Sequence, residues 1–586
     1  HIVSQEEFGL PCRIYAPVGS HEDLLPYLVR RLLENGANSS FVNRLVDDKA
    51  SIDSLVEDPV QIAQQMLGNI NQNIPLPNAI FLPERQNSKG IDLTDRKTLK
   101  EMQDYFASLN LTDWSAYPVI HGHTPTKEGA VSVCSPQNHQ FVIGTVANAG
   151  EQEVETALAA AEKIFPVWGK TTAQERAAII EKFADLLEEN MLDLLALACL
   201  EAGKTWNDGI AEVREAIDFC RYYATNAVKL MGQPKQLHGY TGELDELSMH
   251  PRGTLLCISP WNFPLAIFTG QVVASLVTGN CVIAKPAEQT PLIAHFAVQL
   301  MLKAGVPSGV IQLLPGPGET IGAKMVADKR IKGVIFTGST QTASIINKSL
   351  AERDGEIVPL IAETGGQNAM IIDSSALLEQ VVIDVLNSAF GAAGQRCSAL
   401  RVLYVQEDIY PRFIELLKGA MAELKIGDPR WLKTDVGPVI DKEALSGLTK
   451  HVDKMLKDYD LIYQSELDDD CSNGTFMPPT AIAIDHIDAL EREVFGPTGY
   501  GLTLGIHTRI NSLAEYIRDR VEVGNCYVNR NMVGAVVGLQ PFGGEGLSGT
   551  GPKAGGPHYL QRLCVERTYT VDTTAAGGNA TLMSLE

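Results

Sequence analysis

Basic side chains are in short supply: 48 Lys and Arg stand against 71 Asp and Glu, a formal charge of −23. That balance excludes a nucleic-acid partner, whose phosphates are held by Lys and Arg. It also excludes attraction to an anionic membrane surface. Long apolar runs are missing as well, since nothing approaches the ~18 apolar residues of a membrane span. The opening residues, His1-Ile2-Val3-Ser4-Gln5-Glu6-Glu7, hold neither a basic n-region nor an initiator Met, so no signal peptide is expected. The chain reads as starting inside a longer one, with the cytoplasm as its expected location. Paired cysteines are absent. Cys12, Cys134, Cys199, Cys220, Cys257, Cys281, Cys397, Cys471, Cys526 and Cys564 include no CxxC and no metal-ligand spacing, which suits a reducing compartment. His121-Gly122-His123 lies in a Pro/Gly-rich stretch without a cysteine nearby and is expected to be a surface loop, not a metal site. The usual dinucleotide fingerprint is missing too: Gly316-Pro317-Gly318-Glu319-Thr320-Ile321-Gly322 has one residue too many for GxGxxG.

What is present is a globular composition, 45% hydrophobic and 20% charged over 586 residues, enough for three or four domains. Asp58-Pro59 predicts an N-cap with proline at the first helical position, opening a helix over 60–70. Pro75 to Pro83 reads as a Pro-rich loop. Amphipathic spacing predicts helices over 153–168 and 173–200, the second ended by Gly203, and a long helix over 211–231. Buried strands are then expected over 253–259, 280–285, 311–314 and 333–336, each followed by a helical run. Such alternation implies an α/β fold with a doubly wound parallel sheet, whose ligands sit at the carboxyl ends of the strands. All four strands end in motifs: Ser259-Pro260-Trp261-Asn262-Phe263-Pro264, Lys285-Pro286-Ala287-Glu288, Pro315-Gly316-Pro317-Gly318 and Thr337-Gly338-Ser339.

Further on stand Glu363-Thr364-Gly365-Gly366-Gln367-Asn368 and Gly394-Gln395-Arg396-Cys397-Ser398. A thiolate is the best side-chain nucleophile near neutral pH and adds to a carbonyl carbon. An amide donor such as Asn262 stabilises the resulting oxyanion, and a carboxylate such as Glu363 deprotonates the water that releases a thioester. These motifs resemble the aldehyde dehydrogenase superfamily over roughly residues 110–570. The resemblance implies Cys397 as nucleophile, Glu363 as base, and Asn262 with the Cys397 N–H as oxyanion donors. It implies NAD⁺ as cofactor, with the pyrophosphate near the helix that opens at Gly338-Ser339 and the adenosine ribose held by Lys285 and Glu288. Ser259, Pro260, Trp261, Gly318 and Thr337 complete the expected nucleotide site. Glu493-Val494-Phe495-Gly496-Pro497 matches the family motif whose Glu binds the nicotinamide ribose and whose Phe packs near the ring. A carboxylate at Glu288 favours NAD⁺ over NADP⁺ by repelling a 2′-phosphate. The fold so implied is the aldehyde dehydrogenase fold: a nucleotide-binding domain over 116–362, an α/β catalytic domain over 363–561, and a small oligomerisation β-flap from about 234–252 and the tail 562–586.

Asn531-Met532-Val533-Gly534-Ala535 leads into Gln540-Pro541-Phe542-Gly543-Gly544 and resembles the aldehyde-anchor loop of the glutamate-γ-semialdehyde (pyrroline-5-carboxylate) dehydrogenases. That resemblance implies that the Gly534 and Ala535 N–H groups and Ser398 take up the substrate α-carboxylate, with Phe542 also lining the site. Successive N–H groups in a turn form such an anion nest. The expected reaction is oxidation of L-glutamate γ-semialdehyde to L-glutamate; another short carboxylated aldehyde is the alternative substrate, and a catalytically silent scaffold or regulator the alternative class. The paired Arg30-Arg31 on a helical run, the stretch from Gly544 to Pro557, and Ala575-Ala576-Gly577-Gly578-Asn579-Ala580 are similar to the bifunctional proline utilization A family. By that resemblance residues 1–45 are the remnant of a proline dehydrogenase barrel and 46–115 a connector. A (β/α)₈ barrel needs at least ~200 residues, so neither proline oxidation nor FAD binding is expected of this chain. The expected partners are the small-molecule substrate, further copies of the chain, and the missing proline dehydrogenase part.

Overall fold

Strands buried on both faces are made of unbroken apolar runs, and Thr254–Ile258 and Cys281–Lys285 are of this kind. The structure, a computed structural model, describes residues 18, 24, 27–31, 33, 51–65, 74–109, 114–122, 129–484 and 499–573. The chain divides into two compact units, His1–Leu76 and Pro77–Glu586. In the first, Pro59–Gln65 is helical, with Asp58 Oδ1 accepting from the Val60 N–H at 2.8 Å. Residues 66–70 of the expected helix lie outside the described residues. Arg30 and Arg31 are exposed on a helical stretch, the Arg31 guanidinium 5.3 Å from the Tyr27 ring. The expected connector 46–115 is thus divided, since everything from Pro77 onward belongs to the larger unit.

In that unit the strands β1 (Thr254–Ile258), β2 (Cys281–Lys285), β3 (Ile311–Leu313), β4 (Ile331–Thr337) and β5 (Leu360–Glu363) form one parallel sheet in the order β5-β4-β1-β2-β3. The order reverses at β1, so the crevice between the ends of β1 and β4 is the switch point where α/β sheets bind ligands. β4 starts two residues before its expected start. β5 was not anticipated: at four residues it is too short to show a pattern, yet it ends on Glu363. A second parallel sheet has the order β7-β6-β8-β9, made of β6 (Asn368–Ile372), β7 (Leu400–Val405), β8 (Thr503–His507) and β9 (Asn525–Val528).

Helices cover the first sheet. Thr172 and Glu175 form a capping box that opens Ala173–Glu189. The single helix expected over 173–200 is two. It breaks at Asn190, whose amide donates to the Leu186 carbonyl at 2.7 Å, and resumes as Met191–Ala202. Gly203, at φ 67°, ends that second helix as expected; a Cβ there would also meet Pro438 Cγ at 2.8 Å. The long helix α1 (Trp206–Met231) starts earlier than its apolar pattern does, because Thr205 caps it. Ile180, Phe183, Leu187, Phe219 and Tyr223 share one core with α2 (Ala266–Val277), β1 and β2. The ribbon Lys235–Leu237, Glu243–Pro251 and Cys564–Asp572 is antiparallel, registered from Cys564 against Pro251 to Asp572 against Glu243. Among the described residues no helix is long and apolar enough to cross a membrane.

Candidate active site

Cys397 follows a tight turn, Gly391–Gly394, in which Ala392 and Ala393 take φ of 53° and 55°. Left-handed alanines cost about 1–2 kcal/mol each, so the surrounding structure holds this turn against its own preference. Asn368, the first residue of β6, does part of that work: its amide donates to the carbonyls of Cys397 at 2.7 Å and Ala399 at 3.0 Å. The Asn262 amide donates to the Gln395 carbonyl at 2.9 Å, which brings the loop after β1 against the nucleophile's turn. That loop is braced from behind. Glu212 accepts from the Leu265 N–H at 2.9 Å and pairs with buried Lys204 at 3.0 Å, and Lys204 Nζ sits 4.0 Å from the centre of the Phe263 ring. Arg396 turns away to Asp208 at 2.6 Å.

Glu363 ends β5 with its carboxylate enclosed by glycines. The Gly544 N–H donates to Oε2 at 2.9 Å. A Cβ on Gly543 would stand 2.7 Å from Oε1, and one on Gly549 2.8 Å from Oε2. Oε1 is buried without a partner among the described residues. Burial pushes the Glu363 carboxyl up to about 8, opposed by the Gly544 N–H and the Lys553 cation. Burial, followed by the charge of Glu363, pushes the Cys397 thiol up to about 12. A carboxyl that titrates near neutral pH is suited to general-base work.

Six of the residues expected at the nucleotide site stand at the two strand ends that flank the switch point. Ser259, Pro260 and Trp261 leave β1; Thr337, Gly338 and Ser339 leave β4. Gln271 on α2, the helix that follows β1, donates to Thr337 Oγ1 at 2.9 Å. Ser339 caps the following helix α3 (Thr340–Glu352), accepting from the Thr342 N–H at 3.1 Å. A Cβ on Gly338 would lie 2.5 Å from the Phe336 ring. At the neighbouring strand end, Glu288 Oε1 accepts from Lys285 Nζ at 3.3 Å and from the Gly318 N–H at 2.7 Å, with its side chain about half exposed. Burial lowers the Lys285 pKa, and Glu288 opposes that shift. Glu493 and Phe495 lie outside the described residues.

Ser398 is buried, its carbonyl accepting from Thr503 Oγ1 at 3.3 Å. Across β9, the Tyr527 hydroxyl donates to the Gly534 carbonyl at 2.6 Å; the Cys397 charge is one of the influences that raise that phenol to about 12, burial being the largest. The Val536 carbonyl accepts from the Gln540 N–H at 2.7 Å. Among the described residues neither the Gly534 nor the Ala535 N–H is bonded to a backbone carbonyl. Phe542 pairs with Ala554 through both backbone bonds, at 3.0 and 2.8 Å. An open hollow of about 490 Å³ lies along Gly524, Asn525, Cys526, Tyr527 and Lys553, but it takes in none of the expected site residues.

Residues 123–569 match the Aldehyde dehydrogenase family. The chain belongs to that family. Residues 1–44 match Proline dehydrogenase. The chain is 50% identical over 601 aligned residues to the bifunctional protein PutA of Klebsiella aerogenes, covering 96% of this chain and 45% of that protein. It thus spans under half the length of that relative. A 1-pyrroline-5-carboxylate dehydrogenase of a Geobacillus species is 36% identical, covering 80% of this chain and 95% of that protein. A crystal structure of 1-pyrroline-5-carboxylate dehydrogenase from Thermus with bound NAD superposes with a TM-score of 0.78 at 31% identity, over 83% of this chain and 99% of that one.

For an aldehyde dehydrogenase, several site residues carry no signal in the sequence. Lys553 sits in a Gly-Pro-Lys run that reads as loop, yet it supplies the cation nearest in effect to Glu363. Its ammonium donates to the Gly524 carbonyl. Gln271 and Tyr527 look like ordinary members of a helix and a strand. Asn368 was visible only as the end of the Glu363 motif. Each acts across the chain, so no local pattern marks it.

Proposed function

We propose that this chain oxidises L-glutamate γ-semialdehyde, the open form of pyrroline-5-carboxylate, to L-glutamate with NAD⁺, the second step of proline catabolism. The observation that carries the substrate is the Gly534-Ala535 turn, whose two N–H groups find no acceptor among the described residues while the Gly534 and Val536 carbonyls are bound from within. Adjacent free N–H groups seat a carboxylate. The pyrroline-5-carboxylate dehydrogenases among the relatives support the same reading. Arg396, the arginine beside the nucleophile that an ω-carboxylate substrate could use, is committed to Asp208. On this reading residues 116–362 serve the nucleotide and 363–561 the aldehyde. The ribbon with the tail 562–586 is a flap for association between copies of the chain.

The switch point suits a dinucleotide. Ser259 Oγ and Gln271 Oε1 are buried without partners among the described residues, and Gly338 keeps the strand end free of a side chain. NAD⁺ bound there supplies the hydride acceptor. The Glu288 carboxylate suits ribose hydroxyls and repels a 2′-phosphate.

The chain's own residues perform the rest. Cys397 Sγ gives up its proton to solvent and adds to the aldehyde carbon, whose carbonyl oxygen becomes the oxyanion. Asn262, which has one amide hydrogen beyond that bound to Gln395, and the Cys397 N–H receive the oxyanion; one such donor contributes ~2.7–4 kcal/mol. After oxidation the acyl group remains on Sγ as a thioester. Glu363 takes a proton from water, the hydroxide adds to the acyl carbon, and the C–S bond breaks to release the carboxylate and return Cys397. The test is NADH formation by the purified protein with glutamate semialdehyde, succinic semialdehyde and propanal. No NADH from the first sinks the proposal, and equal kcat/KM for all three reduces it to an aldehyde dehydrogenase without this specificity.

A further inference from the structure

Residues 77–93 precede the stretch matched to the aldehyde dehydrogenase family, yet they are fastened to its interior by buried polar contacts. The segment is first shaped by its own bonds. The Asn87 N–H donates to the Asn78 carbonyl at 2.9 Å and its amide to the Pro77 carbonyl at 2.9 Å, and the Arg85 N–H donates to the Phe81 carbonyl at 3.1 Å. It is then locked to α1. Asp218 accepts from the Ser88 N–H at 3.1 Å and the Ser88 hydroxyl at 3.0 Å, and Arg221 donates to the Asn87 carbonyl at 3.2 Å.

Arg85 is the member of this strap that reaches further. It is 7% exposed, its guanidinium 4.1 Å from the centre of the Phe81 ring. One nitrogen donates to Asp218 Oδ1 at 3.1 Å, and the other to the Val537 carbonyl at 2.9 Å. Val537 is two residues beyond Ala535. The Gly534 carbonyl, which shares a peptide with the Ala535 N–H, is tied by Tyr527, and the Val537 carbonyl is tied by Arg85, so the turn is held at Gly534 and again at Val537. Gly538 permits the close approach: at φ 82°, a Cβ there would lie 2.9 Å from the Tyr222 ring. A planar fork that serves a carboxylate with one arm and a carbonyl with the other is an arginine property; an ammonium at the end of a lysine stem does not span both.

We propose that Arg85 is a positioning residue for substrate specificity, holding the Val537 peptide so that the Gly534 and Ala535 N–H groups face the substrate carboxylate. The inference rests on the carboxylate role proposed for that turn. It makes the specificity of the dehydrogenase depend on a strap that lies outside the family-matched domain.

The test compares Arg85→Lys and Arg85→Met with wild type on glutamate semialdehyde and on propanal, which has no carboxylate. Arg85→Lys keeps a cation beside Asp218 and gives up the Val537 bond; it keeps the test open should Arg85→Met fail to fold. In both variants kcat/KM for the semialdehyde is expected to fall at least ten-fold more than for propanal, through KM and with kcat nearly held. Ala535→Leu, which alters the turn itself, sets the loss to compare with. A lower thermal midpoint with an unchanged semialdehyde-to-propanal ratio overturns the role of Arg85 and leaves it a structural clamp. A wild type with no preference for the semialdehyde overturns the carboxylate reading together with this one, so the two failures are told apart in the unmutated protein.

Discussion

Gly549→Ala places one methyl group against the base. Its Cβ would stand 2.8 Å from Glu363 Oε2 and 2.8 Å from the Gly544 carbonyl oxygen, about 0.6 Å inside ordinary contact at 3.4 Å. The Gly549 backbone is not in the left-handed region, so the substitution brings no φ penalty of its own. Neither neighbour yields easily, for the carboxylate is already closed in by Gly543 and the Gly544 oxygen belongs to backbone. Relief therefore comes by rotating the Glu363 carboxylate off the Gly544 N–H, or by moving the Gly543-Gly544 turn, and each displaces Oε2 by several tenths of an ångström. Misplacement of a reacting group by about 1 Å can cost ~10²-fold in rate, so kcat is expected to fall ten- to a hundred-fold. Attack by Cys397 does not need Glu363 in place, so acylation should persist. Stopped-flow absorbance should then show a burst of about one NADH per site followed by a slow steady state, as also expected for Glu363→Gln. A full steady-state rate would show that the carboxylate does not need this seat. Loss of the burst as well would move Glu363 to an earlier step, such as activation of the thiol.

Cys397→Ala should abolish turnover while NAD⁺ affinity, followed by nucleotide fluorescence, stays within a few-fold; substantial NADH formation would end the thioester mechanism. Lys553→Met should move the acid limb of the steady-state rate to higher pH. Glu363 acts as a base when ionised, so the rate rises with pH through its pKa of about 8, and loss of the cation that favours the carboxylate raises that pKa further. Among the described residues Cys397 and Tyr559 also feel the Glu363 charge, and both remain in the variant. A pH profile of unchanged position would show that the Lys553 charge does not reach the base. Ala535→Leu should reduce kcat/KM for glutamate semialdehyde about ten-fold to somewhat over a hundred-fold more than for propanal, since one charge-assisted hydrogen bond contributes ~1.5–3 kcal/mol. Equal losses would leave the loop a wall of the pocket and no more.

The β1 to β4 strands were legible because each is a short apolar run closed by a Gly- or Pro-containing motif. Those motifs also mark the strand ends where parallel sheets bind ligands. The residue types of the chemistry were legible for a similar reason: a nucleophile, a carboxylate and an amide within distinctive short motifs need no third dimension to be noticed. Local pattern failed first at Asn190, which breaks a helix whose apolar spacing continues through it. It failed again at β5, where four residues are too few to show a period. It could not reach the surroundings of Glu363 at all. Gly544 and Gly549 press on that carboxylate from 181 or more residues away along the chain, and Arg85 meets Val537 across 452. Propensity and periodicity act over a turn or two of backbone. The pKa of the base, the fixing of the Gly534-Ala535 turn and the commitment of Arg396 to Asp208 arise only when the folded sheets bring distant side chains within a few ångströms of one another.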